Sequence, residues 1–159
     1  MRRWWAALAA GMMAATACSS PGGAPPAAPP PAAEAGEPIL YVAVGASETA
    51  GLRAEVPLRD GWPRVLHQTA LPVSTVFVNL GIPGATVAHA LAVEVPQALG
   101  LRPDLVTVWL NVNDILAGVP APDFERDLGS LVRQLRRGGE TRVLVANTPP
   151  LDRLPAYLA

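Results

Sequence analysis

The stretch Ile39-Leu40-Tyr41-Val42-Ala43-Val44-Gly45-Ala46-Ser47 decides the fold. Its first six residues are almost wholly apolar and stop at a glycine, which is the length of a strand. They lack the alternation of a half-solvated strand, so the run reads as one buried on both faces. Residues 74–79 (Ser-Thr-Val-Phe-Val-Asn), 105–110 (Leu-Val-Thr-Val-Trp-Leu) and 142–146 (Arg-Val-Leu-Val-Ala) share its length and β-branched character. Four strands are therefore expected.

Helices fill the intervals. Between the last two strands, Phe124, Leu128, Leu131, Val132 and Leu135 recur at helical spacing. Pro122 and acidic residues stand at the start, Arg133, Arg136 and Arg137 in the final turns, and Gly138-Gly139 beyond. Residues 61–70 and 85–99 also read as helical, the second kinked near Pro96, where the chain lacks a backbone donor. Strands alternating with helices require crossover connections. The expected fold class is α/β, a three-layer, flavodoxin-like parallel sheet with helices on both faces.

Composition closes off several functions. Half of the 159 residues are hydrophobic and 16% are charged, so most of the chain has the material of a packed core. All 12 basic residues are arginine and the formal net charge is −1, which leaves no basic footprint for DNA or RNA, and no nucleic-acid partner is expected. One cysteine permits no internal disulfide, and no Cys/His cluster has ligand spacing, so neither a metal nor a cofactor is expected. The chemistry is left to hydroxyls, amides and carboxylates.

The first 38 residues differ from the rest. Met1-Arg2-Arg3 is a basic opening, residues 4–17 carry no charge, and Ala15-Thr16-Ala17 places small residues before Cys18. This resembles a bacterial lipoprotein signal (residues 1–17), which implies cleavage before Cys18 and lipid on its sulfur. An ordinary secretory signal with a coincidental cysteine is the alternative. The apolar stretch is short for a hydrocarbon core of about 30 Å. Residues 18–38, with Pro25-Pro26 and Pro29-Pro30-Pro31 among alanine and glycine, form an extended linker. The domain of interest is 39–159, expected outside the cytoplasm: lipid-anchored on a membrane's outer face, periplasmic or extracellular.

In a parallel sheet of this kind ligands bind beyond the carboxyl ends of the strands. Gly45-Ala46-Ser47-Glu48-Thr49-Ala50-Gly51 follows the first strand and presents a serine hydroxyl, as a nucleophile or as a helix cap. Asn79-Leu80-Gly81-Ile82-Pro83-Gly84-Ala85-Thr86 follows the second, as a loop whose amides approach a ligand or a turn capped by Thr86. Asn111-Val112-Asn113-Asp114 follows the third, with a donor carboxamide or an Asx turn opened by Asp114. Three such groups at three consecutive strand ends favour a site. No strand end carries a phosphate-binding glycine loop with a basic partner, which disfavours a nucleotide-binding module.

In order and approximate spacing these three segments resemble the first three blocks of the SGNH, or GDSL-type, hydrolases. The likeness runs from about Tyr41 onward. It implies a serine esterase or lipase-like hydrolase of acyl or acetyl esters, with a small-molecule, lipid or carbohydrate ester as substrate. By the resemblance Ser47 is the nucleophile, and the Ser47 amide, the Gly84 amide and the Asn113 side chain hold the oxyanion. Ala46 stands where the family usually has aspartate, and Asn111 where a glycine is common. The family takes its base from an Asp-x-x-His motif near the C-terminus, and none occurs in these 159 residues, whose histidines are His67 and His89. The expectation is a domain that stops before its last strand and helix, with residues 154–158 opening a further helix. The alternative function is a binding module, or an inactive domain, without the base.

Overall fold

The computed structural model describes residues 38–148. The expected leader and linker, and the helix expected at 154–158, lie outside the described residues. Strand β1 (Leu40–Gly45) leads through two single-turn helices, α1 (Ser47–Ala50) and α2 (Pro57–Asp60), to α3 (Trp62–Ala70) and β2 (Val76–Asn79). Helices α4 (Val87–Ala92) and α5 (Glu94–Leu101) return to β3 (Leu105–Trp109). Helices α6 (Val112–Leu116) and α7 (Ala121–Leu135) then lead to β4 (Arg142–Val145). The four strands form one parallel sheet in the order β2-β1-β3-β4. The order reverses between β1 and β3, which makes their carboxyl ends the switch point of the sheet.

Burial follows the sequence pattern. Tyr41, Val42, Ala43 and Val44 have no exposed surface, because β1 is central and covered on both faces. On one face Val42, Val44, Val106 and Val108 pack with Val87, Ala90, Val95, Ala98, Leu131 and Leu135 from α4, α5 and α7. Each such valine or leucine contributes roughly 1.5–3 kcal/mol by leaving water. On the other face Tyr41, Ala43 and Leu105 meet Leu66, Leu71 and Phe77, so α3 covers the sheet there. The Tyr41 hydroxyl pairs with Thr107 Oγ1 at 2.8 Å, and burial pushes its pKa up to about 12.

The helix expected over 85–99 is two helices. The chain leaves helical geometry at Val93 (φ −120°, ψ −58°) and restarts at Glu94. Pro96 then falls in the first turn of α5, where its missing N–H has no intrahelical acceptor to serve. Strand β2 begins at Val76, two residues later than expected, because the Thr75 amide is drawn into a turn by the Pro72 carbonyl at 2.9 Å.

Candidate active site

The end of β1 is wedged between its neighbours. A Cβ on Gly45 would sit 2.7 Å from the Trp109 carbonyl oxygen and 2.2 Å from Thr49 Oγ1, so only glycine lets the strand finish there. The Ala46 amide donates to the Trp109 carbonyl at 3.3 Å, and the Ile82 amide donates to the Gly45 carbonyl at 2.9 Å. The turn after β1 is thus bonded both to the end of β3 and to the loop after β2. Ser47 is the first residue of α1, and Ala46, which makes no side-chain cap, is the residue before it. The helix-capping alternative for Ser47 is therefore corrected. Its half-buried hydroxyl donates instead to Glu48 Oε2 at 3.3 Å.

The loop after β2 is fastened to α1. Asn79 Nδ2 donates to the Thr49 carbonyl at 2.7 Å, and Asn79 Oδ1 accepts the Gly81 amide at 2.9 Å. A Cβ on Gly81 would lie 2.7 Å from the Ala50 nitrogen. Gly84 is exposed with φ +86°, a left-handed conformation that glycine adopts freely, and its amide meets no acceptor among the described residues. Thr86 does cap α4, its Oγ1 accepting the His89 amide at 3.2 Å.

The loop after β3 is fastened to the loop after β2. Asn113 Nδ2 donates to the Ala85 carbonyl at 2.9 Å, which fixes the carboxamide beside the residue that follows Gly84 and leaves its second N–H for another acceptor. Asp114 does not open an Asx turn. It is buried, and its two oxygens accept the Val87 amide at 3.1 and 3.2 Å. Burial raises its pKa, and the Val87 amide offsets part of that rise. Ser47, Gly84 and Asn113 thus stand on three loops that a run of hydrogen bonds joins.

Chemistry at this end would proceed on an open rim. A cavity of about 220 Å³ lies beside the third loop, lined by Asn111, Asp114, Ile115, Val119 and Phe124 among others. Of the apolar residues flanking that loop, Leu110 is core, while Ile115 and Leu116 are 58% and 76% exposed. Trp109 packs edge-on against Trp62 at 5.7 Å. A larger hollow of about 870 Å³, against Asp104, Leu105 and Arg136, opens at the amino ends of the strands, away from these loops. Among the described residues no group of acidic, cysteine or histidine side chains could hold a metal ion.

Neither histidine is bonded to Ser47. His67 stacks on Phe77 at 5.4 Å with Nε2 against the Thr75 carbonyl at 2.9 Å, a packed residue of the second face. His89 is exposed on α4. One polar residue escaped the sequence reading: Glu94, fully buried on α5, whose Oε2 accepts the Gly45 amide at 3.0 Å. Its signal was present, since Glu94 continues the apolar face of Val87, Ala90 and Leu91 at helical spacing.

A parallel sheet in this order, with its polar loops gathered at one end, places the domain among the flavodoxin-like α/β folds. Residues 43–159 match the GDSL-like lipase/acylhydrolase family, and the chain belongs to it. An arylesterase of Vibrio mimicus is 30% identical over 123 residues, covering 75% of this chain and 59% of that protein. The chain thus spans about three fifths of that relative's length. The crystal structure of TesA superposes with a TM-score of 0.59 at 28% identity, over 75% of this chain and 66% of that one. A structure described as a putative lipolytic protein of the G-D-S-L family from Desulfitobacterium hafniense gives 0.59 at 22% identity, over 67% of this chain and 58% of that one, and shares the fold.

Proposed function

We propose that this chain is a serine ester hydrolase acting on acyl or acetyl esters through a Ser47 acyl-enzyme. The observation that carries the reading is the bonding of three strand-end loops into one unit at the switch point, within a family of lipases and acylhydrolases. Ser47 Oγ attacks the ester carbonyl, and the oxyanion that forms is held by the amides of Ser47 and Gly84 and the free N–H of Asn113. Collapse expels the alcohol, which takes up the proton the serine lost, and water then cleaves the acyl-enzyme to acid and free serine. In such a site each oxyanion donor is worth about 3 kcal/mol in the transition state. The relative named as an arylesterase supports an ester substrate, and the exposed Ile115 beside the 220 Å³ cavity suits an apolar acyl group.

Residues 1–38 support export and a tether, with Cys18 as the lipid attachment and the domain held outside the cytoplasm. A Cys18→Ser variant of the full-length protein would then lose incorporated fatty acid and leave the membrane fraction.

A second reading is favoured by one observation: neither His67 nor His89 is bonded to Ser47, so the hydroxyl keeps its high pKa unless a base reaches it. In that case the domain binds esters without turning them over. A fluorophosphonate probe separates the two on the full-length protein. Labelling that disappears in Ser47→Ala supports the hydrolase, and an unlabelled wild type supports the binder.

A further inference from the structure

The hydrolase reading leaves one buried ionisable group unused. Glu94 has no exposed surface and sits behind the turn that presents Ser47, on the first residue of α5. Its Oε2 takes the Gly45 amide at 3.0 Å, and its Oε1 meets no hydrogen-bond partner among the described residues. Burying a carboxyl with one oxygen unpaired costs stability, and a glutamine or an apolar residue would fill the place at less expense. The Ile82 amide, committed to the Gly45 carbonyl at 2.9 Å, also favours the ionised carboxyl. One side chain therefore acts on the serine turn and on the segment that leads to Gly84.

We infer that Glu94 is a positioning residue for the proposed active site: through the Gly45 amide its carboxyl sets the turn that carries Ser47, and its charge state alters that setting. The inference rests on the hydrolase reading for its link to activity. The link to Gly45 stands on the hydrogen bond alone.

The charge state changes in the neutral range. Burial pushes the carboxyl up to about 7, and the amides of Gly45 and Ile82 hold it back from rising further. No charged side chain shares in this. On β1 the ionisable residue is Tyr41, turned to the opposite face with its hydroxyl on Thr107, and the 80–86 loop has none. On α4 His89 is exposed, and on α7 Arg126 is committed to Asp123 and Asp127 while Glu125 and Arg133 face solvent. Glu48, on α1, is engaged with Ser47. A charged carboxylate is the stronger acceptor, so the Gly45 bond tightens as pH rises through the neutral range.

Amide NMR of the full-length protein tests this between pH 5 and 9. The Gly45 amide is expected to titrate with a midpoint near 7, moving downfield as pH rises, equally in wild type and in Ser47→Ala. Glu94→Gln, which keeps an acceptor for Gly45 and loses the charge, abolishes that titration. Fluorophosphonate labelling of Ser47 should slow in the folded variants, about tenfold or more for Glu94→Leu and less for Glu94→Gln. A Gly45 amide that stays flat across this range, or a folded Glu94→Leu labelled at the wild-type rate, overturns the inference. If Glu94→Leu does not fold, the titration and Glu94→Gln decide. A wild type that titrates at Gly45 yet is never labelled overturns the hydrolase reading instead.

Discussion

Replacing Glu94 by glutamine should change how stability depends on pH, and the size follows from its burial. Its carboxyl titrates near 7 in the folded chain against an ordinary 4.5. The folded state therefore holds the proton more tightly than the unfolded one, so this group's stabilisation is complete below about pH 4.5 and lost as pH rises through 7. For that pair of values the loss between pH 5 and pH 8 is on the order of 2–3 kcal/mol. Spread over a urea slope of about 1–3 kcal/mol per molar, it lowers the wild-type midpoint by roughly 1–3 M. Asp114, also raised by burial, contributes with the same sign from a lower starting pH. The difference between wild type and Glu94→Gln isolates the buried glutamate. Urea unfolding at pH 5, 6, 7 and 8, followed by circular dichroism, should show the wild type falling steeply and Glu94→Gln falling less. Parallel curves for the two proteins would refute the reasoning.

Asn113→Ala should cut ester hydrolysis about 10²–10³-fold in kcat while costing only about 1 kcal/mol of stability for the lost bond to Ala85, as steady-state kinetics and thermal melts would show. Gly81→Ala forces a methyl to within 2.7 Å of the Ala50 nitrogen and should destabilise by about 1–3 kcal/mol in denaturant titrations. Gly84→Ala meets no neighbour within 4 Å, so its cost should be only the left-handed backbone term of roughly 1–2 kcal/mol. Leu131→Ala, deep under the sheet, should lower unfolding free energy by about 3 kcal/mol and leave the Ser47 loop chemistry unaltered.

The elements legible in the sequence are those whose residues answer to a single environment. β1 lies between two covered faces and reads as an unbroken apolar run. α7 lies on one face and reads as a stripe with a proline at its start and arginines at its end. The helices α1 and α6, of four and five residues, were not distinguishable from turns. They are too short to stand on propensity and depend on bonds from distant loops, such as Asn79 to Thr49 and Asn113 to Ala85. Of the two alternatives at the third strand end, the Asx turn fails for the same reason, since the acceptor role of Asp114 is filled 27 residues away at Val87. Ser47 and Asn113 are legible as polar side chains at strand ends, whereas the Gly84 amide is singled out by the family resemblance. The role of Glu94 is not legible in the sequence, because it sits mid-segment, where a charged residue ordinarily faces water.

The ties among the three loops do not extend to the solvent-facing side of α6, where the side chains of Ile115 and Leu116 make no part of the network. Within this architecture, mutation can drift at those two positions without loosening the parts that hold the serine, so the shape of the cavity that Ile115 lines can diversify there at little structural cost.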